Sequence, residues 1–306
     1  MKTRLLVVGS GGFLARHLLR RLAADGACEV ITIGRGTAPG VDGVRHYPLD
    51  CGALGRLGEL IAEVSPDRIV SLAGSSGPGF AEMLHYNVEV AATVLAAAAT
   101  LRKAGPVRVV LAGSAAEFGI PGSLPVSEEA GLLPCNEYGL TKAMQTQVAA
   151  YYRRVAGDRV RVSVARLFNL IGPGSPERLA FGSFVRQIAR TGASGIVQTG
   201  NLESQRDFVH VADAADALVA ILSLEDPAPV YVVASGRAVR LRDLLDYLIR
   251  LSGKEVRIET RTGRESGVDV PCIYGSSARL TRETGWVPVR TAEAALSEMW
   301  EREGRP

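Results

Sequence analysis

Tyr138 and Lys142 stand four residues apart in Tyr138-Gly-Leu-Thr-Lys142, which reads as the start of a helix running to about Val155, so both side chains fall on one helix face. A phenol beside an ammonium can carry a proton. A free tyrosine, with a pKa of about 10, relays protons poorly at neutral pH, and a nearby cation favours the phenolate. Ser114 is the third group. It stands where Val107-Arg-Val-Val-Leu-Ala-Gly113 runs out, an apolar run too short for a helix and suited to a buried parallel strand. In open α/β sheets chemistry gathers at such strand ends, and the Ser114 hydroxyl can hydrogen-bond the oxygen that the phenol serves. Alone, the Tyr/Lys pair is two common residues on an ordinary helix; its place relative to Ser114 and to a glycine loop gives it weight.

That loop opens the chain. Leu5-Leu-Val-Val8 reads as a buried strand, and Gly9-Ser-Gly11-Gly12-Phe13-Leu14-Ala15 turns it into an amphipathic helix reaching about Ala24. The glycines allow a tight turn and close approach to a pyrophosphate, which the helix N-terminus attracts through free N–H groups and its dipole. A second strand, Glu29 to Ile33, ends in Gly34-Arg35. Gly34 takes the place of an acid that would hold a ribose 2′-hydroxyl, and the cation after it suits a 2′-phosphate, so NADP(H) is expected. Asp50, after a third short strand (Val44 to Pro48), is placed for the adenine end. The fourth strand, Arg68 to Leu72, exits through Ala73-Gly74-Ser75, small enough to pass close beneath the cofactor.

An alanine-dense helix ending near Ala104 reads as core or dimer interface, and Arg159 to Ala165 as the sixth strand. From Gly172 the strand and helix alternation becomes irregular. The expectation is α/β: a doubly wound parallel sheet over 1–171, with chain returns from later residues, and a smaller α/β lobe over 172–306. In the later part, Gln205 to Asp213 reads as the start of a helix, Arg240 to Leu251 as an amphipathic helix and Thr291 to Glu301 as the last one.

Composition narrows the classes. With 306 residues, 47% of them apolar, the chain can bury one large core or two joined ones. The net charge of +3 is scattered, without a basic run interleaved with aromatics, so nucleic acid is not an expected partner. Cys28, Cys51, Cys135 and Cys272 lack zinc spacing and the four histidines are dispersed, so no metal is expected. Only four apolar residues follow Met1-Lys-Thr-Arg before Gly9, too few for a signal-peptide core, and the longest apolar helix, about Val88 to Leu101, contains Glu89 and is too short to span a bilayer, so cytoplasm is the expected location.

With these residues in place, the chain resembles the extended short-chain dehydrogenase/reductase family of nucleotide-sugar epimerases, dehydratases and reductases. The likeness runs from Leu5 to about Trp300 and rests on the Gly9 loop, Asp50, Pro66-Asp67, Asn87, Ser114 ahead of Phe118-Gly119, Tyr138 with Lys142, Arg166-Leu-Phe-Asn169 and Arg206-Asp-Phe. Phe168 to Gly174 and Gly200 to Phe208 are most similar to the branch holding GDP-mannose 4,6-dehydratase and GDP-4-keto-6-deoxymannose reductase, which uses NADP. The resemblance implies a Rossmann domain, a proton passed between Tyr138 and a sugar oxygen that Ser114 polarises, and a Lys142 that also grips the nicotinamide ribose. It implies Asn87, with Leu72, Ala73 and Gly74, beside the cofactor. Ser75, Ala115, Asn169, Phe184 and Arg206 are implied around a nucleotide-diphosphate sugar, with Arg264 and Asp269 as a late pair completing the nucleotide site.

Dehydratases of the family carry acidic groups just after the serine; here Ala115 and Ala116 stand there, and a methyl group does no acid/base work. Glu117 is one place further on, and Glu137 precedes the tyrosine. Three functions share the remaining set. The leading one is NADPH-dependent reduction of the 4-keto group of a nucleotide-activated 4-keto-6-deoxyhexose; the others are a C4 epimerase with retained cofactor and a non-catalytic dinucleotide sensor. A homodimer through the alanine-rich helix and the helix after Tyr138 is expected from the resemblance.

Overall fold

Leu5, Leu6, Val7 and Val8 are all buried, and a strand with no polar face needs cover on both sides, which helices joining parallel strands supply. The computed structural model, describing residues 2–37, 40–260 and 270–304, has that arrangement. In chain order, β1 (Thr3–Val8) leads to α1 (Phe13–Asp25), β2 (Cys28–Gly34), β3 (Arg45–Pro48), α2 (Leu54–Val64) and β4 (Arg68–Ser71). One turn, α3 (Phe80–Met83), passes through a π-helical stretch, Leu84–Glu89, into α4 (Val90–Thr100), and β5 (Val107–Ser114), α5 (Glu137–Val155) and β6 (Val160–Leu167) follow. Next come β7 (Asn169–Ile171), α6 (Ala180–Arg190), β8 (Ser194–Thr199), β9 (Gln205–Arg206), β10 (Phe208–His210), α7 (Val211–Ser223) and β11 (Val230–Val233). The chain closes with β12 (Val239–Arg240), α8 (Leu241–Ser252), β13 (Glu255–Thr260), β14 (Cys272–Ile273), α9 (Ala278–Thr284) and α10 (Ala292–Met299).

Seven strands form one parallel sheet in the order β11-β6-β5-β4-β1-β2-β3. The order reverses between β1 and β4, so the connections after them diverge and leave a crevice at their carboxyl ends. One face of the sheet is covered by α1 and α7, whose Leu18, Leu19, Leu218 and Ile221 are wholly buried. The other is covered by α2, α4 and α5, through residues such as Leu57, Ile61, Val94 and Ala149. A separate core holds the later elements together: Phe181, Phe184 and Phe208 pack edge to face, beside Leu244, Leu248, Met299 and Trp300. Residues after 171 also rejoin the large sheet. The helix α7 packs on α1, and β11 pairs with β6 from Val230 opposite Val164 to Val233 opposite Leu167.

One expectation changes. Gln205 to His210 do not begin a helix: β9 lies between β12 and β14, β10 pairs with β7, and only from Val211 does the backbone turn helical. Strands of two and three residues are too short to declare a period in sequence, and long-range pairing decides them.

Candidate functional site

Gly9 adopts φ +86°, and a Cβ there would lie 2.5 Å from the Ala73 backbone nitrogen, so the first turn and the exit of β4 touch backbone to backbone. At Gly34 a Cβ would fall 2.6 Å from Ser10 Oγ, a steric reason for glycine where an acid would hold a ribose. The N-terminus of α1 is capped by Gly12 with no side-chain hydrogen bond and no acidic residue in the first turn. Its N–H groups and dipole therefore favour an anion, and this cradle fits a dinucleotide pyrophosphate. Arg35, its side chain 80% exposed, stands beside the turn 4.0 Å from Asp50. Asp50 accepts from the Tyr86 hydroxyl at 3.0 and 3.1 Å.

From Gly12 a cleft of about 600 Å³ extends past Leu72, Gly74 and Ser75 to Ser114, Ala115, Ala116, Tyr138 and Lys142, and on to Asn169, Arg178 and Arg206. Ser114 is the last residue of β5 and caps the short 3₁₀ turn Ala115–Phe118. Its Oγ accepts from Ala116 N at 3.1 Å and is hydrogen-bonded to the Tyr138 phenol. Asn136 caps α5 by accepting from Gly139 N at 2.8 Å, and the helix then carries Tyr138 and Lys142 into the cleft.

Burial raises the phenol's pKa, as does the charge of Glu117, while the Ser114 hydrogen bond and Arg178 act against them. Lys142 donates to the Ala112 carbonyl and to Gln145 Oε1, both at 2.9 Å. Burial pulls its pKa down to about 8, with Glu117 opposing. A Cβ at Gly74 would lie 2.8 Å from Asn87 Oδ1 and 3.2 Å from Lys142 Nζ, so a side chain there would crowd both.

Other expected residues take less direct places. Asn87 is wholly buried in the π-helical stretch and does not line the cleft. Its amide accepts from Ser75 N and donates to Ser75 O and Thr141 Oγ1, all at 2.9 Å, and so braces the loop 73–75 against α5. Phe184 is a correction: at 5% exposure it belongs to the aromatic core of the later elements, where the apolar face of α6 is turned. Arg264 and Asp269 lie outside the described residues. Glu137 is an exposed residue at the start of α5 and Glu117 is fully buried; neither lines the cleft.

Two residues were not anticipated. Arg178 sits in the irregular stretch before α6, where no spacing announces it. Gln145, one turn beyond Lys142 on the same helix face, is buried and also donates to Ala112 O at 3.2 Å; a polar residue at that spacing was a readable signal.

The sequence model of the NAD dependent epimerase/dehydratase family matches residues 5–234. The chain is 30% identical over 305 residues to GDP-6-deoxy-D-mannose reductase of Pseudomonas aeruginosa, an alignment covering 97% of this chain and 95% of that one. It is 31% identical over 314 residues to dTDP-6-deoxy-L-talose 4-dehydrogenase (NAD(P)(+)) of Kitasatospora kifunensis, covering 97% and 94%. Among solved structures, RMD from Pseudomonas aeruginosa complexed with NADPH matches with a TM-score of 0.81 at 28% identity over 98% of each chain.

Proposed function

We propose, from the premise that this chain belongs to the NAD dependent epimerase/dehydratase family, that it is an NADPH-dependent reductase of the 4-keto group of a nucleotide-activated 4-keto-6-deoxyhexose. One observation carries the choice of reaction. Ser114 and Tyr138 meet in the cleft with Lys142, while the positions after the serine are methyl groups and the nearest carboxylate, Glu117, is sealed inside. The names of the two relatives, a reductase and a 4-dehydrogenase of 6-deoxy sugars, and of the NADPH complex support the same reading.

The turn from Gly9 to Leu14 would hold the cofactor pyrophosphate, and Arg35 the 2′-phosphate, with Asp50 beside it. When bound, the reduced nicotinamide supplies a hydride. The chain's own residues do the rest. Ser114 donates to the carbonyl oxygen at C4 and polarises it, and Tyr138 delivers the proton that turns that oxygen into a hydroxyl. A phenol is protonated at neutral pH, as an acid must be, and burial of Tyr138 acts in the same direction. Asn169, Arg178 and Arg206, facing the cleft beyond Ser114, would orient the sugar and its diphosphate. In this reading residues 1–171 with their returning elements hold the cofactor and the later lobe the sugar nucleotide. The protein would work in the cytoplasm as a homodimer, formed where Leu140, Met144, Tyr151 and Val155 leave an apolar stripe exposed on α5 beside α4.

The test supplies GDP- and dTDP-linked 4-keto-6-deoxyhexoses with NADPH and follows cofactor absorbance, and in parallel incubates GDP-mannose and dTDP-glucose for mass spectrometry. Stoichiometric NADPH oxidation with the ketones and no loss of water from the hexoses is expected. Clear dehydration of either hexose, or turnover on a tightly retained cofactor without net oxidation, would sink the reductase assignment.

A further inference from the structure

We propose that Glu117 is a positioning residue that locks Ser114, the Tyr138/Lys142 helix and β6 into one arrangement, an inference that rests on the reductase reading of the cleft. Its wholly buried carboxylate has three partners on three elements. It accepts from the Ser114 backbone N–H at 2.8 Å, from the Thr146 hydroxyl at 2.7 Å and from Arg166 Nε at 3.0 Å. Each partner leads to the cleft. Ser114 is itself the polarising group, Thr146 is one turn beyond Lys142 on α5, and Arg166 lies on β6 three residues before Asn169.

The surroundings are shaped around this carboxylate. A Cβ at Gly113 would lie 2.7 Å from Glu117 Oε1, so the strand beneath must be bare there. The Arg166 guanidinium, 3% exposed, lies over the Phe118 ring 5.0 Å from its centroid, and its Nη1 has no hydrogen-bond partner among the described residues. A buried ion pair gains little stability over apolar packing of the same shape, so stability alone is a weak account of it. What it supplies is registry: the end of β5, the middle of α5 and the end of β6 converge on two oxygens.

The charge also reaches the chemistry. Around the Tyr138 phenol stand Ser114 and Glu117 from the strand end and its turn, Lys142 on the same helix, and Arg178 from the stretch before α6. Behind the larger effect of burial, Glu117 acts to raise the pKa of both the phenol and the Lys142 ammonium.

Two variants test this. Thr146→Val keeps the ion pair and the volume but cuts the link from α5 to the carboxylate; kcat should fall on the order of tenfold, the kinetic equivalent of one hydrogen bond to a charged group, with NADPH affinity retained. Glu117→Met combined with Arg166→Met removes both charges, so that neither is left buried alone. In that variant the alkaline limb of kcat/KM should move to lower pH, because the phenol loses a neighbour that raises its pKa. The Tyr138 phenolate, read as the absorbance difference from the same protein carrying Tyr138→Phe, should titrate earlier as well. That titration needs no sugar, so it decides the role of Glu117 even where the wild-type protein fails to reduce the ketones and the reductase reading falls. Thr146→Val with wild-type kcat, or a folded double variant whose phenolate titrates at the wild-type pH, overturns the proposal.

Discussion

Lys142→Met should make the cofactor-free protein more stable at neutral pH while removing its turnover. The ammonium is 4% exposed, and burial moves its pKa from 10.5 to about 8. That fall corresponds to roughly 3 kcal/mol of folding free energy lost at pH 7, where the lysine is charged in both the folded and the unfolded chain. Met fills a similar volume without the charge. Against the relief stand the two hydrogen bonds that even the neutral amine would make, each about 1 kcal/mol net, and the Ala112 carbonyl keeps its second donor in Gln145 Nε2 at 3.2 Å. A gain of roughly 1–2 kcal/mol remains at pH 7. The sign follows from proton linkage: between pH about 8 and 10.5 the unfolded chain binds more protons than the folded one, so wild-type stability rises with pH there. The advantage of the variant should therefore be full below pH 8, shrink as pH climbs, and by pH 10.5 turn into a deficit of about 2 kcal/mol, the two lost hydrogen bonds. Urea unfolding midpoints across that range, with an unchanged m-value, measure it directly. A variant less stable than wild type at pH 7, or a difference that stays flat from pH 7 to 10.5, would refute the reasoning.

Tyr138→Phe should lower kcat by about 10²–10⁴-fold while NADPH still binds, since it deletes the proton-carrying oxygen and leaves the ring; retention of more than about a tenth of the rate counts against the phenol as the acid. Arg35→Asp should weaken NADPH far more than NADH in binding titrations, because the exposed guanidinium would be lost as a partner for the 2′-phosphate. Equal affinity of the native protein for the two cofactors removes that argument. Ala96→Glu, on the half-buried outer side of α4, should raise the monomer fraction in sedimentation, and a native protein that is monomeric at micromolar concentration rules the dimer out.

Where short runs of the chain are dominated by apolar β-branched residues and leucine, the sequence could be read almost directly. The strands at Leu5, Val30, Val109 and Val162 are buried on both faces, and glycine at 9 is dictated by a positive φ against Ala73. Ser114, Tyr138 and Lys142 were legible for the same reason: each sits at an element boundary or a helical spacing that local rules govern. Illegible parts depend on distant partners. Gln205 to His210 become strands only because β7, β12 and β14 lie alongside. Phe184 stands on an amphipathic helix whose apolar face could have met either a ligand or a core, and Phe181 and Phe208 make it core. Glu117 turned inward because the backbone tightens to a 3₁₀ turn after Ser114, a change of a fraction of a turn that residue types do not announce.

The return of α7 and β11 to the large sheet bears on how this molecule could be taken apart. A fragment ending at Ile171 would uncover the flank of α1 and the face of β5 and β6 on which α7 packs, and would turn β6, with buried Val160, Val162 and Val164, into a bare edge open to pairing with other chains. Such a piece should aggregate and not survive as a small dinucleotide binder. The first and later halves are interleaved, so neither can be exchanged as a cassette with another protein; a changed substrate preference would have to come from point substitutions along the cleft, with the covalent path of the chain left intact.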